Sequence, residues 1–105
     1  MENYIREYNK LVPLMNKLLK DNFDIWGYAS REQGYGFKVI FEKVWVDITI
    51  GDNFVYEGVS YWLNEYKRKG NCFSILDEEL QSKTVFSIEE IENFIRQVAK
   101  SEKGE

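Results

Sequence analysis

The chain has 105 residues, of which 44% are apolar and 16% aromatic, and its formal net charge at pH 7 is −4. This length and composition predict one domain over residues 1–105 with its own hydrophobic core, and they exclude the disorder typical of weakly apolar chains. Histidine is absent and Cys72 is the single cysteine, which excludes an intramolecular disulfide, histidine-dependent catalysis and Cys-x-x-Cys redox or zinc sites. We therefore expect neither a metal ion nor another cofactor.

The sequence shows no targeting or membrane-spanning pattern. Its first ten residues are polar and mixed in charge, unlike a secretory signal. Its apolar runs fall far short of the roughly 20 residues that span a bilayer. We expect a cytoplasmic protein that does not associate with membranes.

Acidic side chains are concentrated in the middle of the chain. Residues 44–66 contain four carboxylates and no lysine or arginine, and residues 44–95 contain ten acids against four bases. Tryptophan and tyrosine are interleaved with these acids. An acidic, aromatic-rich surface attracts cationic partners and repels nucleic acid and anionic membranes. The sequence thus predicts a basic protein partner and no direct contact with nucleic acid.

The first part of the chain predicts a helix followed by a strand. Apolar side chains recur at helical spacing through residues 2–20, and Pro13 inside this pattern predicts a kink or two shorter helices. Residues 23–30 then alternate between two faces, which is typical of a strand. A polar turn follows at residues 31–34.

Two further strands are predicted by alternation over residues 35–42 and 44–50. Between them, Glu42 and Lys43 make a poor two-residue hairpin turn because neither residue favours positive φ. A hairpin and one bulged continuous strand are therefore both open.

The period changes again after residue 50. Residues 51–53 predict a turn and residues 54–56 a short strand, and apolar spacing over residues 59–66 predicts a helix that stops at Gly70. Residues 72–76 and 83–86 then predict a hairpin around an acidic loop at 77–82. Ser87 and Glu90 form a capping box before a last helix, and residues 101–105 are expected to fray.

This element order predicts the fold class. The predicted order is helix, three or four strands, helix, two strands and helix. This order indicates an α+β domain with a mostly antiparallel sheet and helices on one face. The order, the small size and the acidity resemble those of the type III secretion chaperone-like fold over most of the chain. The resemblance implies a protein-binding homodimer that holds a client segment, and no functional residue is carried over from it.

The acidic triplet Asp77, Glu78 and Glu79 is the strongest candidate for catalytic chemistry. Paired carboxylates can act as acid and base, but carboxylates in a polar turn stay solvated and have no reason to shift in pKa. Without an activated nucleophile or base, we predict that the protein is not an enzyme.

The strand alternation instead predicts a binding surface. If the four aliphatic residues of strand 44–50 face the core, Trp45 and Asp47 lie on the opposite face, together with Trp26, Tyr28 and Ile40. Tryptophan and tyrosine dominate binding hot spots, and an exposed apolar patch usually marks an interface. The alternatives are that a helix covers this face or that the two faces are inverted.

The most concrete hypothesis is an acidic immunity-type inhibitor that blocks a basic toxin, such as a nuclease, by mimicking the charge of its substrate. A viral inhibitor of a nucleic-acid-binding defence protein would use the same physics. Trp45 and Tyr56 would be anchors, and the acids that steer and pair with lysine and arginine would be Asp47, Asp52, Glu57, Asp77, Glu78 and Glu79. This hypothesis favours a monomer. The alternative is a chaperone-like homodimer that uses exposed strand edges.

Overall fold

The computed structural model describes residues 2–62, 67–69, 72–74, 78–85 and 87–102, with the side chains of residues 3–61 and 87–102. Two helices, α1 (Glu2–Lys20) and α2 (Ile88–Glu102), accompany a five-stranded antiparallel sheet in the order β1-β2-β3-β4-β7. Its strands are β1 (Asp24–Ser30), β2 (Gly34–Ile40), β3 (Val44–Ile50), β4 (Tyr56–Trp62) and β7 (Glu78–Val85). Two short strands, β5 (Lys67–Lys69) and β6 (Cys72–Ser74), pair with each other. The predicted α+β class is confirmed.

Both helices cover the same face of the sheet. Helix α1 contacts β1, β2 and β3, whereas α2 contacts β3 and β4. The core between the layers is made of side chains with at most 9% exposure; its central members are Leu11, Leu18, Phe37, Val39, Val46, Ile48, Ile91 and Ile95. The strict alternation of buried and half-buried positions in β3 follows directly from the pleat of a strand with one covered face.

Helix α1 runs through Pro13 as one element. Pro13 is exposed, whereas Leu11, Leu14 and Leu18 point into the core. The apolar stripe that buries the helix therefore continues across the proline. The start of α2 matches the predicted cap, because the backbone N–H of Glu90 donates to Ser87 Oγ at 3.1 Å.

A chain of ion pairs ties the two helices together at their solvent side. Lys17 Nζ of α1 lies 3.0 Å from the carboxylate of Glu92, which also accepts from Arg96 Nε at 2.9 Å. Arg96 Nη2 in turn lies 2.6 Å from Asp21, just after α1. These contacts lower the pKa of Glu92, because both cations favour its charged form.

Strands β2 and β3 form a hairpin, which settles the question left open by the sequence. The backbone N–H of Phe41 donates to the carbonyl oxygen of Val44 at 2.9 Å, with Glu42 and Lys43 between them. Neither central residue has positive φ. The turn is supported from α2 instead: the Glu102 carboxylate accepts the backbone N–H groups of Lys43 at 2.8 Å and Val44 at 3.2 Å.

The helix predicted over residues 59–70 is wrong. Residues up to Trp62 belong to β4, and residues 67–69 form β5. On the covered side, β4 presents the small residues Gly58 and Ser60, and a Cβ at Gly58 would come within 3.7 Å of the Phe94 ring of α2. Helix α2 packs closely against this side of β4 and leaves room only for small side chains. The strand therefore lacks the alternating large apolar residues by which its neighbours were identified.

The hairpin predicted over residues 72–86 also differs from the structure. Strand β6 pairs with β5, and β7 pairs with β4 at the edge of the main sheet. Glu78 and Glu79 lie in β7, opposite Trp62 and Tyr61, rather than in a loop. The pairing partner of a strand is a long-range property, which local spacing does not specify.

Candidate functional site

The face of the sheet opposite the helices is the candidate binding surface, and we call it the open face. Strand register places its residues in rows across the strands, because residues paired directly opposite each other share a face. One row runs Trp26, Lys38, Asp47, Val59, and the adjacent rows run Asp24, Ile40, Trp45, Tyr61 and Tyr28, Gly36, Thr49, Glu57. The alternation of the sequence placed Trp26, Tyr28, Ile40, Trp45 and Asp47 together correctly.

Trp26 is the most exposed large side chain of this surface. It is 62% exposed, yet its indole Nε1 donates to the Asp24 carboxylate at 2.7 Å. This hydrogen bond restricts the orientation of the ring. Trp26 is thus both accessible and held in place, so binding at this ring would cost less side-chain entropy than binding at a freely rotating one.

Trp45 lies at the centre of the face and is half-buried. Its ring stacks on Tyr61, with centroids 4.5 Å apart and an interplanar angle of 20°. The Lys38 ammonium lies 5.2 Å from the Trp45 ring centroid, within the range of a cation–π contact. Trp45 Nε1 is buried and has no hydrogen-bond partner among the described residues.

Tyr28 crosses from β1 to β3 over the backbone of Gly36. Its hydroxyl donates to Asp47 Oδ1 at 2.6 Å and lies 2.8 Å from Thr49 Oγ1. A Cβ at Gly36 would lie 2.9 Å from the Tyr28 hydroxyl and would also overlap the carbonyl oxygen of Ile48. Burial, reinforced by the Asp47 carboxylate, raises the pKa of Tyr28, so the phenol stays protonated and donates to Asp47.

A depression of about 450 Å³ opens between β1, β2 and β3 on this face. Its lining combines aromatic, acidic and hydroxyl groups; the lining residues are Trp26, Gly27, Tyr28, Gln33, Lys38, Asp47 and Thr49. The Lys38 ammonium lies 5.8 Å from the Tyr28 ring centroid. A cation therefore already sits over two aromatic rings at the side of this depression.

The acids proposed from sequence are only partly brought together. Asp47 and Glu57 share the open face on the adjacent strands β3 and β4. Glu57 pairs with Thr49, which is two residues along β3 from Asp47. Asp52 is exposed in a single 3-10 turn, Asp52–Phe54, beyond the end of β3. Glu57 bends toward that turn, since a Cβ at Gly51 would lie 2.9 Å from its carboxylate.

Of the other residues proposed from sequence, Tyr56 does not belong to this surface, and the acidic triplet is described only in part. Tyr56 lies on the covered face opposite Ile50, is 7% exposed, and donates to Glu7 of α1 at 3.0 Å. Burial and the Glu7 carboxylate raise the pKa of Tyr56 to about 12. Tyr56 is therefore a core residue and not an open-face anchor. Asp77 lies outside the described residues, and Glu78 and Glu79 are described as backbone of β7 alone.

Sequence reasoning gave Lys38, Gly36 and Thr49 no role in the surface, and it missed Tyr61 because it predicted a helix there. Alternation assigns each of them to the open face once the strands are known. What it lacks is the cross-strand register, which brings Lys38 next to Asp47 and Trp45 next to Tyr61.

The described residues contain no cluster of three or more side chains able to hold a metal ion. Neither α1 nor α2 is long and apolar enough to cross a membrane. No protein family, curated protein or solved structure matches this chain.

Proposed function

We propose that the protein is a non-catalytic binding module that holds a basic protein partner on the open face. In its most concrete form it is an immunity-type inhibitor that blocks a basic toxin or nucleic-acid-binding protein. The observation that carries the proposal is a sheet face that neither helix covers, on which an exposed, hydrogen-bonded Trp26 and the stacked Trp45–Tyr61 pair lie among carboxylates.

The charge of the open face supports a cationic partner. Among its described side chains, Asp24, Asp47 and Glu57 oppose the single base Lys38. A negative surface on a net-acidic chain accelerates encounter with a basic protein and repels nucleic acid. A toxin that binds phosphates presents the complementary cationic cleft.

The aromatic side chains supply the part of the affinity that charge does not. Long-range charge acts mainly on the association rate, whereas burial of tryptophan and tyrosine acts mainly on the dissociation rate. Trp26 is accessible to a partner, whereas Trp45 is half-buried and already stacked on Tyr61. A partner side chain that covers Trp26 would exclude water from neighbouring hydrogen bonds.

The outer edge of β1 supports a second candidate, a homodimer of the chaperone type. Strand β1 is the first strand of the sheet, and its seven residues Asp24–Ser30 contain no lysine, proline or bulge. Such an edge can pair with another strand. Sedimentation at micromolar concentration separates the candidates, because a monomer supports the inhibitor and a dimer supports the chaperone.

The test of the leading proposal compares two isosteric double variants that change the charge equally. Asp47→Asn with Glu57→Gln neutralises the open face, and Glu42→Gln with Glu89→Gln neutralises exposed acids elsewhere. Each tagged protein is used to capture partners from the native host, and association with the captured protein is measured against salt concentration.

We expect a basic protein whose affinity falls about tenfold in the open-face variant, since each lost charge contact is worth roughly 0.5–1 kcal/mol. The control variant should retain affinity, and salt should slow association of the unmodified protein. Equal affinity of both folded variants would contradict the proposal.

A further inference from the structure

We infer that the depression beside Trp26 is a binding site for a guanidinium group of the partner, and that Lys38 occupies its cation position in the free protein. The inference rests on the proposed function and names the chemical group that the open face recognises. In this arrangement Lys38 is an internal competitor that a partner arginine displaces.

The position of Lys38 is direct evidence that this surface accommodates a cation. Its ammonium lies 5.2 Å from the Trp45 ring centroid and 5.8 Å from that of Tyr28. Asp47 lies directly across from it in the strand register. Lys38 is exposed and makes no salt bridge within the described residues, so movement of its ammonium breaks no ion pair among them.

Asp47 supplies the carboxylate that a guanidinium requires. Its Oδ1 accepts the Tyr28 hydroxyl, which orients the carboxylate, whereas Oδ2 has no hydrogen-bond partner among the described residues. The orientation is reinforced because Tyr28 also contacts Thr49. An oriented carboxylate with an available oxygen forms a charge-assisted hydrogen bond at little cost in side-chain entropy.

Trp26 supplies a flat wall on the other side of Lys38. Trp26 and Asp47 are each one strand away from Lys38, so their backbones lie about 10 Å apart at the usual ~4.8 Å strand spacing. This span fits a planar group that stacks on the indole and reaches the carboxylate once the lysine stem has moved. The hydrogen bond to Asp24 holds the indole in place before binding.

The geometry favours guanidinium over ammonium. A guanidinium is planar, stacks on aromatic rings, carries several donors in one plane and is more weakly hydrated than an ammonium. The ammonium of a partner lysine would contact the same rings that Lys38 already contacts, so its exchange for Lys38 would gain little binding free energy. An arginine can in addition stack on Trp26, whereas the cation–π contacts of Lys38 among the described residues are with Tyr28 and Trp45.

The test uses small probes on the complete chain, so it needs no identified partner. N-acetyl-arginine amide is titrated into isotopically labelled protein, with the Trp26 indole N–H and the Lys38 amide as NMR reporters. The neutral isostere N-acetyl-citrulline amide and the lysine analogue N-acetyl-lysine amide are titrated at the same ionic strength. We expect millimolar, saturable binding of the arginine probe at these reporters and at least about threefold weaker binding of the other two.

Three variants assign the effect to particular side chains. Asp47→Asn keeps the acceptor for Tyr28 and should weaken the arginine probe about fivefold. Lys38→Met keeps an apolar stem but removes the competing cation, and should tighten binding about threefold. The control Glu57→Gln removes a carboxylate of the same face outside the depression and should change the affinity less than about twofold.

The outcomes distinguish failure of the inference from failure of the proposed function. Weaker binding in Lys38→Met, binding of the lysine or citrulline probe as tight as that of the arginine probe, or an effect of Glu57→Gln as large as that of Asp47→Asn would overturn the inference. If the arginine probe fails while a basic partner still depends on the open-face acids, the guanidinium site is wrong and the proposed function stands. If neither depends on those acids, both fail.

Discussion

The two faces of this sheet are built from the same strands but are stabilised in different ways. On the covered face, aliphatic side chains such as Val39, Val46 and Ile48 are fully buried against the helices. On the open face, the larger Trp26, Tyr28 and Trp45 are held by hydrogen bonds, stacking and a cation–π contact. Non-directional burial specifies the fold, whereas directional contacts order the side chains of the open face.

The largest difference in unfolding free energy is expected between Phe37→Ala on the covered face and Trp26→Ala on the open face. Phe37 is 0% exposed, so its removal loses transfer free energy and leaves a cavity, which should cost about 3–5 kcal/mol of unfolding free energy. Trp26 is 62% exposed, and its removal should cost less than about 1 kcal/mol. Urea denaturation measures both values. Similar costs would mean that the two faces are not energetically distinct.

Gly36→Ala probes the place where the two faces depend on one backbone position. The added Cβ would overlap the Ile48 carbonyl oxygen and crowd the Tyr28 hydroxyl, so β2 or β3 must shift. We expect a loss of about 1–3 kcal/mol, typical of an overpacked site. The Tyr28 hydroxyl should also lose its contact with Asp47, which NMR of the Asp47 region would report.

The control for this variant is Ala29→Gly, at an exposed position of β1. Gly34→Ala is a poor control because Gly34 has a φ of 87°.

The smallest effect is expected from the ion pairs behind the covered face. Lys17 and Arg96 lower the pKa of Glu92 below its ordinary 4.5, so the charged carboxylate stabilises the folded state. That contribution is fully present above pH 4.5 and is lost as the pH falls through the lowered pKa. Glu92→Gln should cost about 0.5 kcal/mol at pH 7 and progressively less below pH 4.5. A difference between the two proteins that does not change with pH would contradict the assigned role of Glu92.

The parts of the fold that sequence predicted are those whose environment is set locally. Alternation identified β1, β2 and β3, and the Ser87 cap located the start of α2. Strand β4 was missed because its covered positions Gly58 and Ser60 are small, while its larger side chains fall at a spacing that imitates a helix. The cause is the proximity of α2, a contact between distant parts of the chain.

The candidate site was predictable to the same degree. Trp45 and Asp47 follow from the alternation within one strand. Tyr56 was proposed as an anchor but lies on the covered face, because the length of the turn between β3 and β4 places it opposite Ile50. The contact of Lys38 with two rings depends on three strands in register, which spacing along one strand does not encode.

The support of the β2–β3 turn by Glu102 has a consequence for the order of folding. Local preferences at Glu42 and Lys43 do not nucleate this hairpin, and the carboxylate that completes the turn comes from about 60 residues further along the chain. The hairpin and the last turn of α2 therefore form one cooperative unit, whose assembly waits for closure of a long loop. Amide exchange at Lys43 and Val44 would then report the undocking of α2 rather than fraying of the turn itself.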